Sequence, residues 1–240
     1  MIAVLAQQGP VIPEFQRGSE CIRENRQFCF GWFADNFDRV FVPRLVEHIE
    51  LTAIAVGIGF VISFAAALMV HSRGSFEAPF ATVAALLYTI PSLAFFQLLV
   101  PITGLTTTSA EIALVSYTLL ILFRNTLTGL REVPEDARLA ARAMGLTPRQ
   151  VLWRIELPLA LPAIMAGVRI ATVTIISLAT VAAFIGVGGL GQPIFNAIQS
   201  GFKTQFVAAG VLAVLLALVV DGLLVLLQRA LAPWMRVRRA

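Results

Sequence analysis

The side chains that could do chemistry in this chain are few and widely spaced. Two cysteines, Cys21 and Cys29, and two histidines, His48 and His71, offer neither a multi-cysteine metal framework nor an HExxH or HxxxH spacing. Segment 186–191, Gly-Val-Gly-Gly-Leu-Gly, resembles a phosphate cradle only superficially: no strand leads into it and no basic residue follows. No Walker sequence occurs, so the chain has no means of hydrolysing ATP by itself. Asp221 stands alone in an apolar run, where a carboxylate needs an inward orientation or a partner; Arg124 and Arg169 lie at similar depth. No nucleophile, acid and base converge as an enzyme site requires. The long polar stretch is 135–158, EDARLAARAMGLTPRQVLWRIELP, set between runs that can each cross a bilayer.

Local physics predicts two short capped helices there. Pro134 suits a first helical turn, and Glu135 and Asp136 complement the positive end of a helix dipole. Gly145 offers the left-handed residue that closes a helix. Thr147, Pro148 and Gln150 then restart one, with a capping box from Thr147 to Gln150. The second helix is expected to end at Leu157, with Pro158 and Pro162 changing the chain's direction. Two capped helices on a glycine corner make a compact body suited to docking.

The elements that position this stretch are membrane spans. With 58% hydrophobic residues, 13% charged and a mean hydropathy of +0.84, the chain is too apolar for a soluble domain, where roughly 25% of residues are charged. The fold class is an all-α polytopic membrane protein. Spans are expected at 51–70, 79–101, 110–130, 164–187 and 206–227, each near the ~20 residues that cross a bilayer core. In the first, Gly57, Gly59, Ser63 and the alanines 65–67 allow close helix approach. In the second, Pro91 and Pro101 are expected to break the run, leaving a loop over 103–108. Upstream, Phe30, Phe33, Phe37, Val40 and Phe41 share one helical face opposite Asp35, Asp38 and Arg39, as in a helix lying flat in the interface. The first residues lack the basic and apolar regions of a cleaved signal peptide.

The 18 Lys+Arg against 14 Asp+Glu fall beside spans, without the aromatic interleaving of a nucleic-acid surface. Arginines cluster in 131–154, at Arg73 and after the last span, whereas the intervening loops 103–109 and 188–205 hold only Lys203. The positive-inside rule then places 131–160 and the basic tail 231–240 in the cytoplasm and the tail 1–46 outside. Outside, Cys21 and Cys29 either bridge locally or remain free thiols.

The polar stretch resembles the cytoplasmic signature of ABC importer permeases: Glu-Ala-Ala, three residues, Gly, nine residues, Ile-x-Leu-Pro. Ala140, Ala141, Gly145, Ile155, Leu157 and Pro158 match at the right offsets, while Leu139 replaces the family's Glu. Segments 89–94, 122–126 and 186–191 are similar to those of osmoprotectant permeases, for glycine betaine, carnitine and choline. The resemblance covers about 47–230 and leaves the first 45 residues without a counterpart. It implies a type I importer transmembrane domain in the bacterial inner membrane, with a coupling loop in which Ala140, Ala141, Gly145, Leu146, Thr147, Ile155, Leu157 and Pro158 face an ATP-binding subunit. It also implies two such ATPases holding ATP-Mg, a second permease, an external binding protein, and no cofactor on this chain. Aromatic cages hold quaternary ammonium ions, so Tyr88, Phe95, Phe96 and Tyr117, with Pro91 and Asn125, are candidates to line a pathway. Methionine, phosphonate or amino-acid import is the competing substrate class; a secondary transporter would need more charged or broken-helix sites.

Overall fold

A computed structural model describes residues 19–72 and 74–234; the expectations for Arg73, for most of the far N-terminal tail and for most of the basic tail lie outside them. Every regular element among the described residues is helical. After a single turn, α1 (Glu20–Arg23), the chain enters α2 (Phe30–Asn36), a π turn (Phe37–Phe41) and α3 (Val42–Ser72) without interruption. Helices α4 (Glu77–Thr89) and α5 (Ser92–Thr103) follow, then α6 (Thr107–Arg131), α7 (Glu135–Ala143) and α8 (Pro148–Val151). A second π turn (Leu152–Glu156) leads into α9 (Leu157–Val181), and α10 (Gly191–Ser200) and α11 (Lys203–Leu231) close the chain. Four continuous helical segments are long and apolar enough to cross a membrane; the α4–α5 pair makes a fifth crossing if taken together.

Helix α6 is the axis of the bundle, packed between α3 and α9. Small residues permit this. A Cβ on Gly59 would lie 1.8 Å from Thr118 Oγ1, one on Gly129 2.8 Å from Ala163 Cβ, and one on Gly167 2.5 Å from Asn125 Cβ. Ser63 donates to Leu119 O, joining α3 to α6. The main core gathers Leu51, Phe96, Leu114, Tyr117, Ile175 and Ile185. Helix α11 is different: it buries only Thr204, Gln205, Ala208 and Ala209, all in its first two turns, and presents the rest of its apolar length outward.

Pro91 breaks the second run as expected: α4 and α5 meet at 99° around Ile90 and Pro91. It supplies the break because it has no N–H and keeps Ile90 extended. Four expectations need correction. Pro101 does not break the run but lies inside α5, so the loop before α6 is confined to 104–106. The second short helix does not stop at Leu157. Residues 148–185 run on continuously, because the π turn, in which Leu157 N–H reaches back to Leu152 O, places Pro158 in a first turn where its missing donor is tolerated. The aromatic stretch 30–41 does not form a separate helix but runs on into α3, with Phe33, Phe37 and Phe41 packed with Trp32 against Phe202 and Ala209 of the α10–α11 corner and Phe30 left exposed. Within the expected loop 188–205 lies α10, capped by Gly201 in the left-handed region.

Candidate functional site

The polar stretch folds as the local rules require up to Val151. Pro134 stands just before α7, with Glu135 and Asp136 in the first turn. At the other end, Gly145 takes φ +85°, Leu146 N–H donates to Ala141 O at 3.2 Å and Gly145 N–H to Arg142 O at 2.9 Å. These two bonds satisfy carbonyls that the helix end would leave open. A Cβ at Gly145 would meet nothing within 4 Å, so the requirement for glycine here is dihedral, not spatial. The restart is a complete capping box: Gln150 N–H donates to Thr147 Oγ1, and Thr147 N–H donates to Gln150 Oε1.

The outward surface of this corner is apolar. Leu139, Met144 and Trp153 are 53%, 70% and 60% exposed, which is unusual for side chains flanked by arginines. Ala140, Gly145 and Thr147 share that exposed side, and Leu146, Ile155, Leu157 and Pro158 are half-buried. Ala141 departs from expectation: it is buried, so it seats α7 on the bundle instead of flattening the outer surface. Helical geometry accounts for this, since adjacent residues point about 100° apart.

Beneath the corner lies a charged knot. Glu156 is 6% exposed in the second π turn. Its Oε2 lies 2.8 Å from His71 Nε2 at the end of α3, and its Oε1 lies 2.8 Å from Arg138 Nε on α7, an ion pair bent too far from linear for a hydrogen bond. Arg138 also donates to Leu130 O near the end of α6 at 2.6 Å and to Glu135 at 3.2 Å. One carboxylate therefore ties the end of α3 and the start of α9 to α7, with α6 joined through Arg138. Sequence reading passed over Glu156, although it is the only acidic residue between Asp136 and Asp221. A lone acid among apolar neighbours was the available signal.

The candidate pathway residues separate into two groups. Phe95, Phe96 and Tyr117 are core residues, 7%, 0% and 3% exposed, whereas Tyr88 and Pro91 face outward. Tyr88 and Phe95 meet Tyr117 edge-on at 6.0 and 5.8 Å, and Tyr117 Oη donates to Ile90 O at 2.5 Å. That bond satisfies a carbonyl freed by the helix break. These rings brace the break and form no open aromatic cage among the described residues. Asn125 donates to Ile121 O on its own helix.

Three other features gain partners. Asp221 accepts two bonds from Arg169, at 2.8 and 2.9 Å, one of the two partners expected for it. His48, fully buried, holds the glycine-rich segment: its Nε2 lies 2.9 Å from Ile176 O and its Nδ1 accepts from Leu190 N–H at 3.3 Å. This network assigns the neutral tautomer protonated at Nε2. A Cβ on Gly191 would sit 2.1 Å from Thr180 O, so the segment is glycine-rich for close packing. Cys21 and Cys29 are joined as a disulfide. Among the described residues no group of three His, Cys, Asp or Glu side chains could hold a metal ion.

This bundle, with a broken second crossing and a capped corner between its third and fourth, is the transmembrane fold of type I ABC importers. It superposes on the inward-facing MetNI methionine ABC transporter with a TM-score of 0.70 at 22% identity, covering 80% of this chain and 96% of that one. An amino acid ABC transporter solved with histidines gives a TM-score of 0.68 at 20% identity, covering 82% and 96%. The sequence goes further than the fold. Residues 59–237 match the family described as "Binding-protein-dependent transport system inner membrane component", and the chain belongs to that family. It is similar to the choline transport system permease protein OpuBB of Bacillus subtilis, 34% identical over 79% of this chain and 88% of that protein. The osmoprotectant import permease protein OsmW of Salmonella typhimurium is 37% identical over 78% and 89%. The carnitine transport permease protein OpuCB of Listeria monocytogenes is 35% identical over 84% and 92%.

Proposed function

We propose that this chain is the permease subunit of an ATP-driven importer of compatible solutes, quaternary amines of the glycine betaine, choline and carnitine kind. The relatives at 34–37% identity, each covered over most of its length, support the substrate class. The observation that carries the mechanism is the Glu156 knot under the exposed apolar corner. A push on Met144 or Trp153 from outside is delivered through Arg138, Glu156 and His71 to the ends of α3, α6 and α9 together. A rigid body pinned in this way converts motion of a docked subunit into motion of a helix bundle.

In this reading the corner 131–160 is cytoplasmic and seats in an ATP-binding subunit, two of which close on ATP-Mg. A second permease, identical or related, faces this one, and the solute arrives outside on a binding protein. Closure of the ATPases swings the two bundles outward to receive the solute; their separation after hydrolysis returns the pathway inward. The arginines of the corner support that side through the positive-inside rule. The test is uptake into proteoliposomes by the complex reconstituted with its ATPase and binding protein, over glycine betaine, choline, carnitine and methionine. ATP-dependent accumulation of a quaternary amine supports the assignment. Accumulation of methionine alone overturns the substrate class, and uptake that persists without ATP overturns the importer.

A further inference from the structure

Arg124 lies on α6 seven residues before Arg131, about 10 Å along the helix from its cytoplasm-directed end. Its side chain is exposed, on the face that α4 shares, and among the described residues it has no hydrogen-bond or ion-pair partner. Arg169, a cation of α9 at similar depth, is satisfied by Asp221. Arg124 also forms one wall of a recess of about 320 Å³, lined by Thr82, Thr89 and the small side chains of Ala78, Ala81 and Ala85. The Thr89 hydroxyl donates to Leu86 O, while the Thr82 hydroxyl makes no bond among the described residues.

A second observation points to the same face. The break between α4 and α5 follows directly on Thr89; Pro91 is exposed there, and no side chain caps the start of α5. Open backbone at membrane depth persists only where protein covers it or water reaches it, and an unpaired guanidinium in a span is bound by the same condition. The recess that joins Thr89 to Arg124 meets this condition as one wall of a hydrated route between this chain and a facing permease.

We infer that this recess binds the carboxylate of the transported solute, with the Arg124 guanidinium as its principal contact and the Thr82 hydroxyl beside it. The planar fork of an arginine matches the two oxygens of a carboxylate, a geometry that a hydroxyl in the same place does not supply. The site thus favours zwitterions such as glycine betaine or carnitine over choline, which carries the same quaternary ammonium without the carboxylate. This inference rests on the compatible-solute reading above.

The test compares ATP-driven uptake of glycine betaine and choline by the full complex carrying wild-type chain, Arg124→Gln or Arg124→Lys, with permease content and basal ATPase rate measured in the same vesicles. Loss of a charge-assisted contact predicts that Arg124→Gln lowers betaine uptake about tenfold or more and choline uptake less than about twofold, with Arg124→Lys between. Equal loss for both solutes, or no loss for either, overturns the inference and assigns Arg124 to packing or to lipid headgroups. A wild type that carries choline but no carboxylated solute overturns it as well. A wild type that carries no quaternary amine refutes instead the reading on which it rests.

Discussion

Glu156→Gln is the perturbation that separates a coupling role from a merely structural one. The substitution keeps shape and volume but removes the negative charge that faces His71 and Arg138, each at 2.8 Å. Breaking a wholly buried ion pair costs about 3–5 kcal/mol. Arg138 is 16% exposed and keeps Leu130 O and Glu135, so the guanidinium is not fully orphaned. A loss of about 2 kcal/mol in the seating of α7 is the expected scale, close to 30-fold in the seated population. The assay is solute transported per ATP hydrolysed in proteoliposomes, with stimulation of the ATPase by loaded binding protein as second readout. Transport per ATP should fall about tenfold or more while the chain still inserts and the ATPase still turns over. A Glu156→Gln permease with wild-type transport per ATP refutes the reasoning.

Further expectations follow from other contacts. Gly145→Arg should abolish ATPase coupling while the chain still inserts, because it places a long cation at the glycine corner and strains φ +85°; unchanged transport contradicts the docking assignment. Gly191→Ala should destabilise the fold by several kcal/mol, read as loss of monodisperse protein in detergent, since its Cβ would overlap Thr180 O at 2.1 Å. Asp221→Asn should lower thermal stability through an unpaired Arg169, and the Asp221→Asn, Arg169→Gln double variant should recover part of the loss. Tyr117→Phe should weaken transport more than it weakens folding, because it frees Ile90 O at the helix break but leaves the ring packing in place.

What could be read from the sequence was what local rules determine. Gly145 and the Thr147–Gln150 box form as predicted because capping depends on residues within a turn or two of each other. Span positions follow from uncharged length, and the Asp221–Arg169 pair from the need of an isolated carboxylate for a partner at its own depth. The failures were of another kind. Pro91 breaks its span as expected while Pro158 does not, and the difference lies in the π turn ahead of Pro158, which has no simple sequence signature. His48 and Glu156 find their partners 128 and 85 residues away, so no local pattern could reveal them. The aromatic face of 30–41 was real, but amphipathicity does not say whether an apolar face meets lipid or protein; Phe202 and Ala209 decide for protein.

Docking of the 131–160 corner on an ATP-binding subunit is tested most directly by crosslinking. The two cysteines are joined to each other, so Met144→Cys introduces the sole free thiol on a residue 70% exposed at the corner. Ile102→Cys, 79% exposed near the far end of α5, is the control. A short bifunctional reagent should join the Met144→Cys permease to its ATPase, with a yield that changes on adding ATP, and should not join the Ile102→Cys permease. Crosslinking of the ATPase at residue 102 and not at 144 would contradict the assignment of this corner.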